Sequence, residues 1–183
     1  VHQVADIKEG IVRSYEEDRA LITCATFSPD GTTLAIGTVD GYIRFYQIYF
    51  HEETPRCLHA WNPHQGSPIS DFFFLDNHTQ PIAGSSLWKY VVTLANNNTE
   101  IKISSCDGWK TLQTINFKST AGQQLSFKAE IDRTSSYITL SDRANRQLYV
   151  LQIIKENALS SQNGDEANGS SSSGFARVFV KSI

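Results

Sequence analysis

The hydrophobic and polar positions of residues 21–49 (LITCATFSPDGTTLAIGTVDGYIRFYQIY) break into three short runs with turn chemistry between them. Ile22, Cys24 and Phe27 belong to an apolar run that stops at Ser28-Pro29-Asp30-Gly31. There proline presets φ for the second residue of a turn and glycine tolerates positive φ. Thr33-Leu34-Ala35-Ile36 then alternates its larger apolar groups, and Asp40-Gly41 supplies a second tight turn. Residues 42–48 (YIRFYQI) alternate again, with aromatic and β-branched side chains. The pattern predicts three antiparallel strands. Beyond a polar connection at residues 51–55, residues 56–62 (RCLHAWN) supply a fourth, outer strand.

The same order recurs, and a fixed repeat decides the architecture. Residues 68–76 (PISDFFFLD), 89–95 (KYVVTLA), 100–105 (EIKISS) and 109–117 (WKTLQTINF) form a second copy, with an insert at 77–88 that reads as a surface loop. Residues 125–132 (LSFKAEID), 137–140 (YITL) and 147–154 (QLYVLQII) form a third. Phe27 to Ile48 is 21 positions and Ile131 to Ile153 is 22, the extra residue fitting the turn Arg143-Ala144-Asn145-Arg146. Residues 158–174 are rich in Ser, Gly, Asn and acidic groups that cannot bury enough apolar area to offset chain entropy, which predicts a disordered loop. Strand character resumes at residues 175–180, so this loop interrupts the third copy before its outer strand. Residues 1–20 read as a strand remnant around Ile11-Val12 followed by a surface loop. The fold class is all-β, a β-propeller with about three blades over residues 21–183. Because a propeller takes four to eight blades, three predict a piece of a longer protein.

Ser28-Pro29-Asp30-Gly31, Val39-Asp40-Gly41 and the Phe45-Tyr46-Gln47 strand resemble the WD40 repeat, with Tyr46-Gln47 where Trp-Asp often occurs. His64 matches the repeat's loop histidine. Its blade turns through Asn96-Asn97-Asn98, with no Asp to complete the repeat's buried His–Ser/Thr–Asp–Trp network. Longer segments, among them FSPDGTTLAIGTVDGYIRFYQIY, HEETPRCLHAW, FFLDNH and LWKYVVTLANNNTEIKI, resemble the WD40 region of the enhancer of mRNA decapping family, also called Hedls and, in plants, varicose. The resemblance covers most of residues 20–155. It implies a cytoplasmic scaffold of processing bodies that brings the decapping coactivator and other decapping-complex proteins together. Self-association and catalytic-subunit binding belong to the family's helical region and do not carry over to these residues, although the parent protein's self-association stays open.

Composition narrows the alternatives. With 183 residues, 40% of them hydrophobic and 19% charged, the chain is of ordinary globular type. A net charge of −3 opposes the basic stripe that nucleic-acid backbones require, so direct nucleic-acid contact is disfavoured. Apolar runs such as Phe72-Phe73-Phe74-Leu75 fall far below the ~20 residues that span a bilayer. Cys24, Cys57 and Cys106 are too few and too scattered for a disulfide framework, which predicts a reducing compartment.

Catalytic and metal chemistry find no organising motif. Cys57, His59 and His64 lack a fourth ligand at a zinc spacing, and no nucleophile elbow, P-loop or dinucleotide fingerprint occurs. The expectation is no metal, no cofactor and no enzymatic activity. Trp61 and Trp109 read as core. Protein recognition falls to the connecting loops, with His51, Glu52 and Glu53 as an acidic, hydrogen-bonding rim and Leu87, Trp88 and Tyr90 as an apolar anchor where they face outward. The competing reading is an RNA-binding propeller module of cytoplasmic ribonucleoprotein assemblies, with Arg143 and Arg146 as a local basic patch.

Overall fold

The computed structural model describes residues 20–48, 56–75, 88–119, 122–132, 134, 136–155 and 176–182. Their strands are β1 (Ile22–Phe27), β2 (Thr33–Thr38), β3 (Ile43–Gln47), β4 (Cys57–Trp61), β5 (Ile69–Phe74), β6 (Tyr90–Ala95), β7 (Glu100–Ser105), β8 (Lys110–Asn116), β9 (Lys128–Ile131), β10 (Tyr137–Asp142), β11 (Gln147–Lys155) and β12 (Ala176–Ser182). They form three four-stranded antiparallel meanders in chain order, which are the three expected blades. The third copy enters its sheet at Lys128 rather than Leu125, because residues 123–127 approach as irregular backbone. The expected features near Ile11-Val12 and at residues 51–55, 77–87 and 158–174 lie outside the described residues.

The first two blades share their irregularities as well as their strand order. The register slips between Ile22 and Cys24 in β1 and between Ile69 and Asp71 in β5, each at the second residue of an inner strand. It slips again where β3 meets β4 and where β7 meets β8, leaving Leu58 and Leu112 as the extra residues of the two outer strands. A bulge at the same place in successive outer strands bends an otherwise open edge away from further pairing.

Strand alternation sends neighbouring residues into different interfaces. Ala35, Ile43 and Phe45 of the first blade pack on Ile69, Phe72, Phe74 and Val91 of the second. Val92, Leu94, Ile101 and Ile103, on the opposite face of the second blade, pack on Ile138, Leu140, Leu151 and Ile153 of the third. Val91 and Val92, consecutive in β6, therefore serve different cores. Phe45 is 1% exposed, with its ring 4.8 Å from Trp109, 5.8 Å from Phe72 and 6.1 Å from Trp88 between centroids. Leu148, the second residue of β11 as Ile101 is of β7, is 47% exposed.

Close approach between the first two blades depends on Gly37, where a Cβ would lie 2.6 Å from Cys24 Sγ and 2.8 Å from Ile69 Cγ2. The turn Asn96-Asn97-Asn98 has three successive positive φ angles of 54°, 57° and 64°. Asparagine tolerates this left-handed region better than other residues with a Cβ, which accounts for the run of three.

Candidate interaction surface

The loop from β4 to β5, residues 62–68, is the covalent link between the first two blades and is fixed by side chains of the second. His64 is 2% exposed, and its Nε2 lies 2.8 Å from the Thr93 hydroxyl on β6. Its Nδ1 stands 3.2 Å from Glu100 Oε1, within ion-pair range but without hydrogen-bond alignment. Lys102 Nζ lies 3.2 Å from the same oxygen and donates to the Pro63 carbonyl at 2.8 Å. The histidine and hydroxyl of a WD40-type network are thus present, while the acid comes from the first residue of β7 instead of the turn. Sequence reasoning missed this substitution. The signal was Glu100 immediately after the Asn-rich turn, where an acid returns to the place the turn leaves without one.

Charges set the protonation states here. Burial holds the His64 imidazole below its ordinary range against the pull of Glu100. For Glu100 burial opposes the charge, but the Lys102 hydrogen bond and His64 outweigh it and leave the carboxyl below its usual range.

A second polar tie joins the second and third blades. Asn98 Nδ2 donates to Asp71 Oδ2 at 2.6 Å and to the Phe127 carbonyl at 3.0 Å, while the Phe127 amide donates to the Asn97 carbonyl at 3.0 Å. Burial pushes the Asp71 carboxyl up, with the Asn98 bond opposing.

The β2–β3 turn of the first blade presents a different surface. Arg44 Nη2 donates to Asp40 Oδ2 at 3.0 Å and Nη1 to the Thr38 hydroxyl at 2.9 Å, and the guanidinium lies 4.9 Å from the Tyr42 ring centroid. Thr38 in turn donates to Asp40. Beside them Leu21 is 73% exposed, and its carbonyl accepts from the Val39 amide at 3.0 Å. Leu21, Ile22, Val39 and Tyr42 form an exposed apolar rim that the sequence reading assigned to strand and turn.

Of the expected recognition residues, His51, Glu52, Glu53 and Leu87 lie outside the described residues. Trp88 is half-buried, its ring parallel to Phe45 within 7° and edge-on to Phe74 at 5.2 Å. Tyr90 is half-buried against the core between the second and third blades. Both rings turn inward. Trp61 and Trp109 pack against the first interface as expected, and His59 stacks on Trp109 at 4.4 Å. Among the described residues no group of three His, Cys, Asp or Glu is placed to hold a metal ion. The Cys24 thiol is pushed up to about 11 by burial, which keeps it protonated at neutral pH.

Comparison with known proteins agrees with the repeat. A family model described as the WD40 region of Ge1, enhancer of mRNA-decapping protein, matches residues 1–158. Enhancer of mRNA-decapping protein 4 homolog of Drosophila melanogaster is 44% identical over 164 residues, covering 88% of this chain and 12% of that protein. Enhancer of mRNA-decapping protein 4 is 37% identical over 155 residues in Danio rerio and 36% over 157 in Homo sapiens. These cover 82% and 83% of this chain and 11% of each relative. The chain therefore spans about a tenth of the length of the relatives it matches. A crystal structure of a Bacteroides uniformis protein assigned as a 6-phosphogluconolactonase superposes on 81% of this chain and 40% of its own, with TM-score 0.53 and 18% identity, a likeness of fold.

Proposed function

The chain belongs to the family of WD40 regions of Ge1, enhancer of mRNA-decapping protein, and we propose that it is a non-catalytic protein-interaction part of an mRNA-decapping scaffold. The observation that carries this reading is the family match over residues 1–158, reinforced by relatives that bear the enhancer name over more than four fifths of the chain. The structure supports it through the division of labour in the sheets: the apolar faces of β3, β6, β7 and β10 are committed to packing between blades, which leaves loops and exposed edges for partners. The partners are the decapping coactivator and other decapping-complex proteins, and the setting is the cytoplasm, in processing bodies. A net charge of −3 favours protein over RNA as the bound macromolecule.

Recognition uses the loops at residues 51–55 and 77–88. His51, Glu52 and Glu53 offer charge and hydrogen bonding, Leu87 an apolar contact, and the half-buried Trp88 and Tyr90 whatever part of each ring stays accessible. The experiment is a calorimetric titration of the intact parent protein with the decapping coactivator, comparing wild type with Glu52→Lys/Glu53→Lys and Trp88→Phe, with circular dichroism confirming each fold. Weakened binding by folded variants is expected. Unchanged binding removes these loops from the interface, and no binding by the wild type counts against the scaffold reading itself.

A further inference from the structure

The link between the first two blades hangs on one carboxylate oxygen that two basic groups share. Glu100 Oε1 is 3.2 Å from His64 Nδ1 and 3.2 Å from Lys102 Nζ, and Lys102 also holds the carbonyl of Pro63, the residue before His64. The other Glu100 oxygen accepts from Asn96 Nδ2 at 3.1 Å, so the carboxylate cannot turn to serve both cations separately without losing that bond. The groups that face the imidazole are Glu100 and Lys102 from β7 and the uncharged Thr93 hydroxyl from β6. The imidazole is shut from water, with the His64 side chain at 0% exposure, while those of Lys102 and Glu100 are 13% and 22% exposed.

We propose that this arrangement is a proton-sensitive latch on residues 62–67, in which protonation of His64 sets a second cation against Glu100 Oε1 and displaces Lys102 from the Pro63 carbonyl. A neutral imidazole accepts from the Thr93 hydroxyl at Nε2 and turns its Nδ1–H toward Glu100 without adding a charge, which leaves Lys102 as the carboxylate's cation. An imidazolium donates from both nitrogens and needs Glu100 as its counter-charge, because a buried charge without a partner is costly. It also repels the Lys102 ammonium. Burial opposes the charged imidazole, so the latched form holds at neutral pH and opens on the acid side of 6.5. Two hydrogen bonds within the loop report its closure: Ser67 N to the His64 carbonyl at 3.0 Å and Gly66 N to Asn62 Oδ1 at 2.9 Å.

The test follows amide exchange at Ser67 and Gly66 from about pH 7.5 downward until the His64 ring has titrated, read by NMR in the same chain. Protection of both amides should fall about tenfold or more, with the midpoint of the His64 titration. Lys102→Gln should flatten the protection profile and move the His64 midpoint upward, since no second cation remains to be displaced. Protection that stays constant while His64 titrates overturns the latch, and so does an unchanged loss in Lys102→Gln. His64→Gln should show no inflection; if that variant does not fold, the wild type and Lys102→Gln decide the outcome.

Discussion

Gly41 and Gly66 meet backbone to backbone: a Cβ on Gly41 would stand 2.7 Å from both the Cα and the carbonyl carbon of Gly66. The β2–β3 turn of the first blade is thereby pressed against the loop that the second blade grips through His64 and Lys102. Gly41 also has φ +84°, a left-handed conformation that disfavours any side chain. Gly41→Ala should therefore destabilise the fold by more than about 2 kcal/mol. Gly31, with φ +71° and open space around it, provides the comparison, and Gly31→Ala should cost less. Denaturant unfolding of the two variants measures the difference.

Phe45 is a core residue at the meeting point of Phe72, Trp88 and Trp109. Its removal leaves a cavity walled by rigid rings that cannot collapse into it. Phe45→Ala should cost about 3–5 kcal/mol and Phe45→Leu distinctly less. A loss below about 1 kcal/mol for the alanine variant would be incompatible with the β3 register.

Ile101 and Leu148 occupy the same position of successive blades with opposite burial, at 1% and 47% exposed. Ile101→Ala should destabilise by about 2–5 kcal/mol, whereas Leu148→Ser in this chain should stay within about 1 kcal/mol of wild type. Equal losses at both positions would show that the third blade is covered on its outer face.

Asp40 and Asp132 are both held near 2, by different means. For Asp40 the Arg44 hydrogen bond leads, with Thr38 and the Tyr42 amide adding to it. For Asp132 burial works against the charge, and the Thr134 hydroxyl with the amides of Tyr137, Thr134 and Ser136 overcomes it. Both carboxyls are depressed in the fold, so the stability they contribute is present above the ordinary value of 3.8 and is lost as pH falls toward 2. Arg44→Gln should raise the Asp40 midpoint and leave Asp132 unchanged, and added salt should act in the same direction on Asp40 by screening its ion pair. Carboxyl NMR titration reads both residues at once.

Cys57 is exposed on the outer strand, whereas Cys24 is partly covered against Gly37 with its thiol near 11. Iodoacetamide near neutral pH should modify Cys57 first and Cys24 only as the chain unfolds. Mass spectrometry of the peptides gives the order. Modification of Cys24 at the rate of Cys57 in the folded chain would contradict the packing of β1 on β2.

Much of this was legible in local chemistry. Pro29, Asp30 and Gly31, and again Asp40 and Gly41, mark chain reversals by backbone preference alone, and β1 and β2 end just before those residues. Phe45 was readable as core because it alternates with Ile43 in the apolar strand that follows the Asp40-Gly41 turn. Trp88 was not. Its place at the end of the insert at 77–88 suggested a loop anchor, but a tryptophan at a strand's approach is free to swing toward whichever apolar surface is nearest, and here that surface is Phe45 and Phe74.

The repeat of apolar periods and turn residues determined by itself that the chain folds into antiparallel blades, about three of them, because period and turn preference act within a few residues and need no knowledge of distant contacts. Only the tertiary structure decided which face of each strand meets which neighbour, that Glu100 supplies the acid beside His64, and that Gly37 and Gly41 are points of closest approach. Those outcomes depend on pairs such as Gly41 with Gly66, Lys102 with Pro63 and Asn98 with Phe127, 25 or more positions apart. Distances of that kind are set by how twisted sheets stack, which no local pattern of side chains encodes.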